Sequence, residues 1–530
     1  MMILLPNFYT FIFTLASEKY TMSKPHSEAL FVLIKSLGKG EKRYFKLAES
    51  REKNLKFIRL FDRMDVQSTF DEKSILTSEP GFSASQFSNL KAHLYGKILK
   101  SLREYYRSTV PGIEIRGLID EAQVLMERGL YRQSAKRLHK AEKQAAESDH
   151  HELQLEVLKW QKQLLSYTVD FEDHSYVEEI VEKVKSVNAR INNINNFSNL
   201  QASLQALYRK TGYIRNADEH RKVAAIFNKS VPKIDEASLS ISERIHLYKV
   251  HIGYCFYVQD FGQGLAYAEK WVELFRHQKP LRRSKPEEYI AGLNSLLIAQ
   301  SKLRLRLPFE ESKRELRKLN RLPGSAHNAH ISLKLFKYTF VHEFNGLIMT
   351  GEFDRGVALF ERLASGLESF TAQLDAHSRV ILYYKTACLY FGNGDYRKCL
   401  FWLHSIFNLT DTDLREDIHG FARILSLICH FEMGNDALIP YQVRSTYRYL
   451  LKKADLHQYQ KLLLNFLKSL PPHLQAKDVS ARLKVLRNKM VGLQNDPYEG
   501  RSFVYFDLVA WLDSRIEGIP MMVVVKRMAK

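Results

Sequence analysis

Short glycine-containing breaks between two helix-period apolar stripes recur along this chain, and they restrict it to a fold built from helical hairpins. The clearest copy spans residues 383–407, YYKTACLYFGNGDYRKCLFWLHSIF. Tyr383, Ala387 and Tyr390 precede the break at helical spacing, and Tyr396, Cys399, Leu403 and Ile406 follow it in the same way. Each arm therefore has one apolar face that it cannot bury alone. Gly394 stands where the first helix must stop, a position that favours the left-handed backbone open to glycine without steric cost. Tyr396 then opens the return helix. Gly129 and Tyr131 open a second such arm, with Ser134, Leu138 and Ala141, and Gly351 and Phe353 a third, with Gly356, Phe360 and Leu363. A weaker copy has Phe261, Gly264, Ala268 and Trp271, and looser ones stand at Val177, Tyr213, Phe309 and Asp436. The turns fall every 37 to 48 residues, the period of an array of stacked helix pairs.

A small residue on the first helix, then Gly-x-[Tyr/Phe], a small residue three on and large ones beyond: in this pattern the chain resembles the tetratricopeptide repeat. Its spacing exceeds that family's ~34 residues and approaches the ~40–47 of HEAT-type repeats, which implies longer helices or loops. Two end segments, KSLGKGEKRYFK (residues 35–46) and YFDLVAWL (residues 505–512), are similar to terminal signatures of a group of bacterial helical-repeat proteins. With the repeats, the resemblance covers most of the chain from Met22 onward and supplies no catalytic or ligand residue. The expected fold is all-α: a right-handed α-α superhelix, TPR-like, of about eight helix pairs, between a helical N-terminal module and C-terminal capping helices.

Composition agrees with that class. In 530 residues, 45% are hydrophobic and 26% charged, with only 14 Pro and 24 Gly, enough to bury a large core and ordinary for a folded chain. The net charge of +20 is uneven: +7 over 22–110, +4 over 111–440 and +9 over 441–530. The repeats are nearly balanced and the two ends are basic. Cys255, Cys388, Cys399 and Cys429 show no CxxC spacing, so neither a zinc ribbon nor a disulfide scaffold is indicated, and a reducing compartment fits. Cys388 and Cys399 lie on opposite arms of one hairpin and could approach each other, yet buried cysteine is usually just a small apolar filler. Residues 1–16 are apolar, yet no basic residue precedes the run, Pro6 interrupts it and it is too short to cross a membrane. Met22 is read as the true start, residues 1–21 as an apolar tail or over-called start, and the location as cytoplasmic.

Three further segments follow: a basic helical N-terminal module (22–110), the repeats (111–455) and a basic helical C-terminal cap (456–530). In the module, Ser83 and Gln86 make an S-x-x-Q capping box, with Phe82 and Phe87 as a hydrophobic staple after Pro80 and Gly81. These mark the start of a helix expected to reach Tyr106. A short helix over 71–76 ahead of this basic one would make a helix-turn-helix with Lys91, His93 and Lys97 facing DNA. The break, however, is longer than the usual turn, and lysines on a solvated face are the ordinary alternative. The basic loop 279–285 and the Lys/Arg-rich, leucine-interleaved segment 302–321 suit acidic partners, but an amphipathic helix pair with a wet basic face, partly neutralised by Glu310, Glu311 and Glu315, is the more ordinary reading. After Pro471 and Pro472, Val479, Leu483, Leu486, Met490 and Leu493 form a heptad seam too short for a coiled-coil dimer. Packing on the last repeat, and a monomer, are expected. A turn at Asn495, Asp496, Pro497 and Gly500 leads to a last helix with Val504, Leu508, Trp511 and Leu512, which covers the terminal hydrophobic face.

No phosphate-cradling G-x-x-x-x-G-K-[ST] loop, dinucleotide G-x-G-x-x-G or G-x-S-x-G elbow is present. His342 and Glu343 begin like a zinc-protease motif, but Gly346 stands where the second His is required. His150, His151 and Glu152 read as a polar helix junction. No catalytic, cofactor-binding or metal residue is assigned and no cofactor is implied; the residues singled out are the turn positions Gly129, Tyr131, Phe261, Gly351, Phe353, Gly394 and Tyr396. The expected function is a non-enzymatic scaffold or adaptor holding a peptide or protein on the concave face of the repeats. The alternative is a nucleic-acid-associated regulator that uses the basic N-terminal module and C-terminal helices.

Overall fold

The computed structural model describes residues 28–51, 55–78, 82, 84–167, 174–232, 234–319, 329–409, 415–453, 456–470, 476–494, 496, 498–500 and 502–529. Among them every regular element is a helix, and no helix is long and apolar enough to cross a membrane. Residues 1–21, Pro80, Gly81 and Ser83 of the capping box, Arg321, Pro471, Pro472, Asn495 and Pro497 lie outside the described residues.

The first five helices, α1 (Ala29–Ser36), α2 (Lys39–Arg51), α3 (Leu55–Val66), α4 (Glu72–Ser78) and α5 (Ala84–Tyr106), close around Phe31, Ile34, Phe45, Phe61, Phe87 and Ile98. The Phe82 and Phe87 rings lie 6.2 Å apart, stapling the chain into α5. The KSLGKGEKRYFK segment is the joint of this module. Glu41 accepts from the Gly38 N–H (2.5 Å) and from the Tyr106 hydroxyl (2.6 Å), so one buried carboxylate ties the α1–α2 turn to the end of α5. Gly40 makes room for the Tyr105 hydroxyl, which a Cβ would meet at 2.7 Å.

The repeats comprise α6 (Pro111–Glu127), α7 (Tyr131–Glu147), α8 (His151–Leu165), α9 (His174–Thr211), α10 (Ala217–Ser230), α11 (Ile241–Tyr257), α12 (Phe261–Arg276), α13 (Lys279–Ser284), α14 (Pro286–Lys302), α15 (Arg306–Leu319), α16 (Ala329–Thr350), α17 (Phe353–Gln373), α18 (Ala376–Gly392), α19 (Tyr396–Phe407), α20 (Glu416–Glu432), α21 (Ile439–Lys452) and α22 (Gln458–Lys468). From α11 onward each helix packs against the next, and the alternate helices α14, α16, α18 and α20 pack on one another.

One turn geometry joins the pairs. Gly129, Gln259, Arg304, Gly351, Gly394 and Gly434 all have positive φ, between +55° and +81°. In each case the next N–H reaches a carbonyl five residues back, as in Asp260 to Cys255 (2.8 Å), Leu305 to Gln300 (2.9 Å) and Asp395 to Tyr390 (2.9 Å). This Schellman closure satisfies carbonyls that the helix end leaves open. Asp260 and Asp395 then cap the following helices, accepting from the Gln263 and Lys398 N–H groups at 3.0 Å. From Gln259 to Gly434 the intervals are 45, 47, 43 and 40 residues. Phe261 and Phe353 are buried where they open α12 and α17. Tyr131 and Tyr396 are half-buried, their rings 5.1 Å from Tyr167 and 5.2 Å from Phe391.

Gln259 holds its left-handed backbone without being glycine, which costs about 1 kcal/mol, and its buried Nε2 has no hydrogen-bond partner among the described residues. Gln259→Gly should therefore raise stability by up to about 1 kcal/mol, seen as a higher urea midpoint; a lower midpoint would contradict this turn geometry. Among the looser matches, Val177 lies in the first turn of α9, a single helix of 38 residues, and Tyr213 just past its end. Its sequence has no Gly or Pro to break it. Phe309 lies in the first turn of α15, and Asp436 lies in the turn before α21.

The chain ends in α23 (Ala476–Leu493), the single turn α24 (Ser502–Tyr505), α25 (Leu508–Glu517) and α26 (Met521–Met528). Leu483, Leu486 and Met490 are buried, with α23 against α22 and α25. The end of the chain reaches far beyond the last pair: α24 packs on α20 and α26 on α16, while α9 also meets α20.

Candidate functional site

A buried polar group lies where three distant stretches meet: the end of α9, the start of α20 and the YFDLVAWL segment. Arg415, just before α20, is buried and has φ +55°. Its guanidinium forks onto Asp417, with Nε–Oδ1 and Nη2–Oδ2 both 2.9 Å, the bidentate geometry of a strong charge-assisted pair. The same guanidinium lies 5.0 Å from the Tyr208 ring centre, and the Arg415 N–H donates to the Arg209 carbonyl at 2.9 Å. Burial opposes the Arg415 charge, but the adjoining Asp417 carboxylate outweighs it and raises the pKa. Gly212, at φ +79°, packs directly on the Asp417 carboxylate, and any Cβ there would overlap it.

Tyr505 completes the group. Its hydroxyl donates to Asp417 and accepts from Arg415 Nη2 at 3.1 Å, and its ring stacks on Phe421 at 4.2 Å and faces Tyr213 at 5.7 Å. On either side the same segment continues to fasten distant elements. Glu499 accepts from the Gln458 and Tyr459 N–H groups (2.8 and 3.1 Å), capping α22. Asp507 takes Arg304 of the α14–α15 turn at 2.5 Å and caps α25 through the Ala510 N–H at 2.9 Å. Trp511 donates to Glu432, at the end of α20, at 2.7 Å. Residues 498–500 and 502–512 thus act as a clasp across helices that are far apart in sequence.

Beside the clasp, α14, α16 and α18 bring basic and polar groups inward. Lys302 Nζ stands 5.7 Å from the Tyr505 ring centre, and burial, with Lys385 and Arg415 nearby, pushes its pKa well down. Lys385 Nζ donates to Asn345 Oδ1 at 2.5 Å; burial is the main cause of its fall to about 8. Asn345 in turn donates to His342 Nδ1 (3.3 Å), and His342 Nε2 donates to Asn294 Oδ1 (3.0 Å). That network needs a neutral imidazole, and burial, reinforced by Lys385 and Lys313, holds the His342 pKa down at about 3. An unfolded His titrates near 6.5, so the stability linked to His342 is complete above that pH and is lost as pH falls from 6.5 towards 3. At pH 5 the loss is about 2 kcal/mol. In urea titrations at pH 7 and pH 5, His342→Gln should shrink the difference between the two stabilities by about that amount; an unchanged difference would contradict the buried neutral assignment.

The other residues marked in the sequence have specific partners in the fold. Cys388, Cys399 and Cys429 share one buried core: Cys399 Sγ faces Cys429 Sγ at 3.4 Å, while Cys388 Sγ lies 4.0 Å from the Tyr505 carbonyl. Burial pushes the Cys388 thiol up to about 12, which makes it a poor nucleophile. Glu343 is bound by Lys313 and Arg317, and among the described residues no group of three His, Cys, Asp or Glu is placed to hold a metal ion. Lys91 pairs with Glu72 (2.6 Å) and Lys97 with Glu49 (2.9 Å), so neither faces a phosphate as a helix-turn-helix reading requires. His93 is exposed. His151 is buried, meeting Asp149 at 2.9 Å and Ser240 at 3.0 Å. The basic segments 279–285 and 302–321 do meet, at a cleft of about 470 Å³ lined by Arg282, Arg314 and Lys318. Glu311 and Glu315 line it as well, and Arg276 is paired to Glu315 at 3.0 Å. The turn residues are spread along the array and do not converge on one site. No family model matches this chain, and no curated protein matches it.

Proposed function

We propose that this protein is a non-enzymatic scaffold: a right-handed superhelix of TPR-like helix pairs that holds a protein or peptide partner in the cytoplasm. The observation carrying this reading is the recurrence of one Schellman turn at 45, 47, 43 and 40 residues, with α14, α16, α18 and α20 stacked on one another. Such stacking makes extended binding surfaces, although the partner has to be argued from a site and not from the fold. Residues 502–512 already cover parts of α18 and α20, so a partner on the concave face uses what that segment leaves open.

The competing reading, a nucleic-acid-associated regulator, rests on the +7 and +9 charges of the two ends and is weakened where Lys91 and Lys97 are committed to internal ion pairs. Affinity purification of the full chain from its native cell, with and without nuclease, separates the two. The scaffold reading expects a protein partner that persists after nuclease treatment. Partners that all vanish with nuclease, in a steeply salt-dependent manner, would replace it with the nucleic-acid reading.

A further inference from the structure

Helix α21, IPYQVRSTYRYLLK, buries Ile439, Val443, Thr446 and Leu450. That spacing places Tyr441, Arg444, Tyr447, Arg448, Leu451 and Lys452 around the opposite side of the helix, and all six are exposed. A solvated helix face usually mixes both charge signs with few large apolar groups. This one departs from the rule twice. Tyr441 is 65% exposed, Tyr447 45% and Leu451 59%, an apolar stripe with water on it. Neither α21 nor the next helix, α22, contains an acidic residue, and Lys461 and Lys468 of α22 are exposed as well.

We propose that this face of α21 docks an acidic amphipathic helix of a protein partner, an inference that rests on the scaffold reading above. Tyr and Arg are the residues over-represented among interface anchors, and here they alternate along one exposed stripe. The positive charge of Arg444, Arg448 and Lys452 selects carboxylates, while Tyr441, Tyr447 and Leu451 supply area that only an apolar stripe on the partner can cover. A polynucleotide would use the arginines and the tyrosine rings but would leave the leucine unmatched. Leu438, just before the helix, is exposed too and extends the apolar stripe.

The test is fluorescence anisotropy with the full chain and a labelled synthetic helix of about five turns, carrying leucines at one helical face and glutamates beside them. A scrambled peptide of the same composition and a single-stranded oligo(dT) serve as comparisons. The amphipathic peptide should bind at least about tenfold tighter than the scrambled one. The double variants Arg444→Glu/Arg448→Glu and Tyr441→Ala/Leu451→Ala should each weaken it by at least about tenfold, with unchanged melting temperature because all four side chains are exposed. No binding by the amphipathic peptide, equal binding by the scrambled one, tighter binding by oligo(dT), or indifference to either double variant would overturn the proposal. A native partner that survives nuclease and still binds Arg444→Glu/Arg448→Glu would overturn it while leaving the scaffold reading in place.

Discussion

Asp417→Ala should destabilise the protein by about 3–5 kcal/mol, the cost of leaving the other member of a buried ion pair without compensation. Arg415 keeps its charge when the carboxylate is gone, and it is too deeply enclosed for water to take over. The Tyr505 hydroxyl loses its acceptor at the same time. The loss should appear in urea titrations as a lower midpoint. Tyr505→Phe, which keeps the stacking on Phe421 and removes only the hydroxyl, should cost much less, about 1–2 kcal/mol. If Asp417→Ala unfolds at the same urea concentration as the parent, the ion pair is not the junction described here.

Trp511→Ala is the second change expected to cost about 3–5 kcal/mol, as for other large buried aromatics cut back to a methyl. The indole is 1% exposed, lies 6.2 Å from the Phe431 ring and donates to Glu432 at 2.7 Å. Arg515 Nε is also 3.4 Å from that carboxylate, so Glu432 keeps a charged neighbour when the indole is removed. The cavity, and not an orphaned charge, should therefore dominate. Trp511→Phe fills most of that cavity and should recover more than half of the loss; equal effects of the two variants would shift the weight to the hydrogen bond.

The hairpins were legible because their turns carry a local mark: glycine at the left-handed position and an aromatic residue two positions on, as at Gly351, Phe353 and Gly394, Tyr396. Arg304 occupies the same backbone conformation at the α14–α15 turn without any such mark, so that turn could be placed only loosely, through Phe309. The all-helical character followed from the same periodicity. The junction was legible on one side only. YFDLVAWL stood out as a segment, but the partners of Tyr505 lie about ninety positions away at Arg415 and Asp417, and those of Asp417 include Gly212. Hydrophobic periodicity reports which face of a helix is buried and carries no information about which distant charge it meets. Charge counting has the same blind spot. The N-terminal module is basic by +7, yet Lys97 is spent on Glu49, 48 residues away, and no count separates a paired lysine from a free one.

Residues 498–500 and 502–512 form an integral clasp across the helical array. Native-state hydrogen exchange of the backbone amides tests it most directly, because protection reports the free energy of local opening. The amides of Leu508–Glu517 should be protected to the same level as those in the middle of α18 and α20, and Asp417→Ala should lower protection in all three together. Fast exchange in Leu508–Glu517 of the parent protein, with α18 and α20 still fully protected, would contradict the claim.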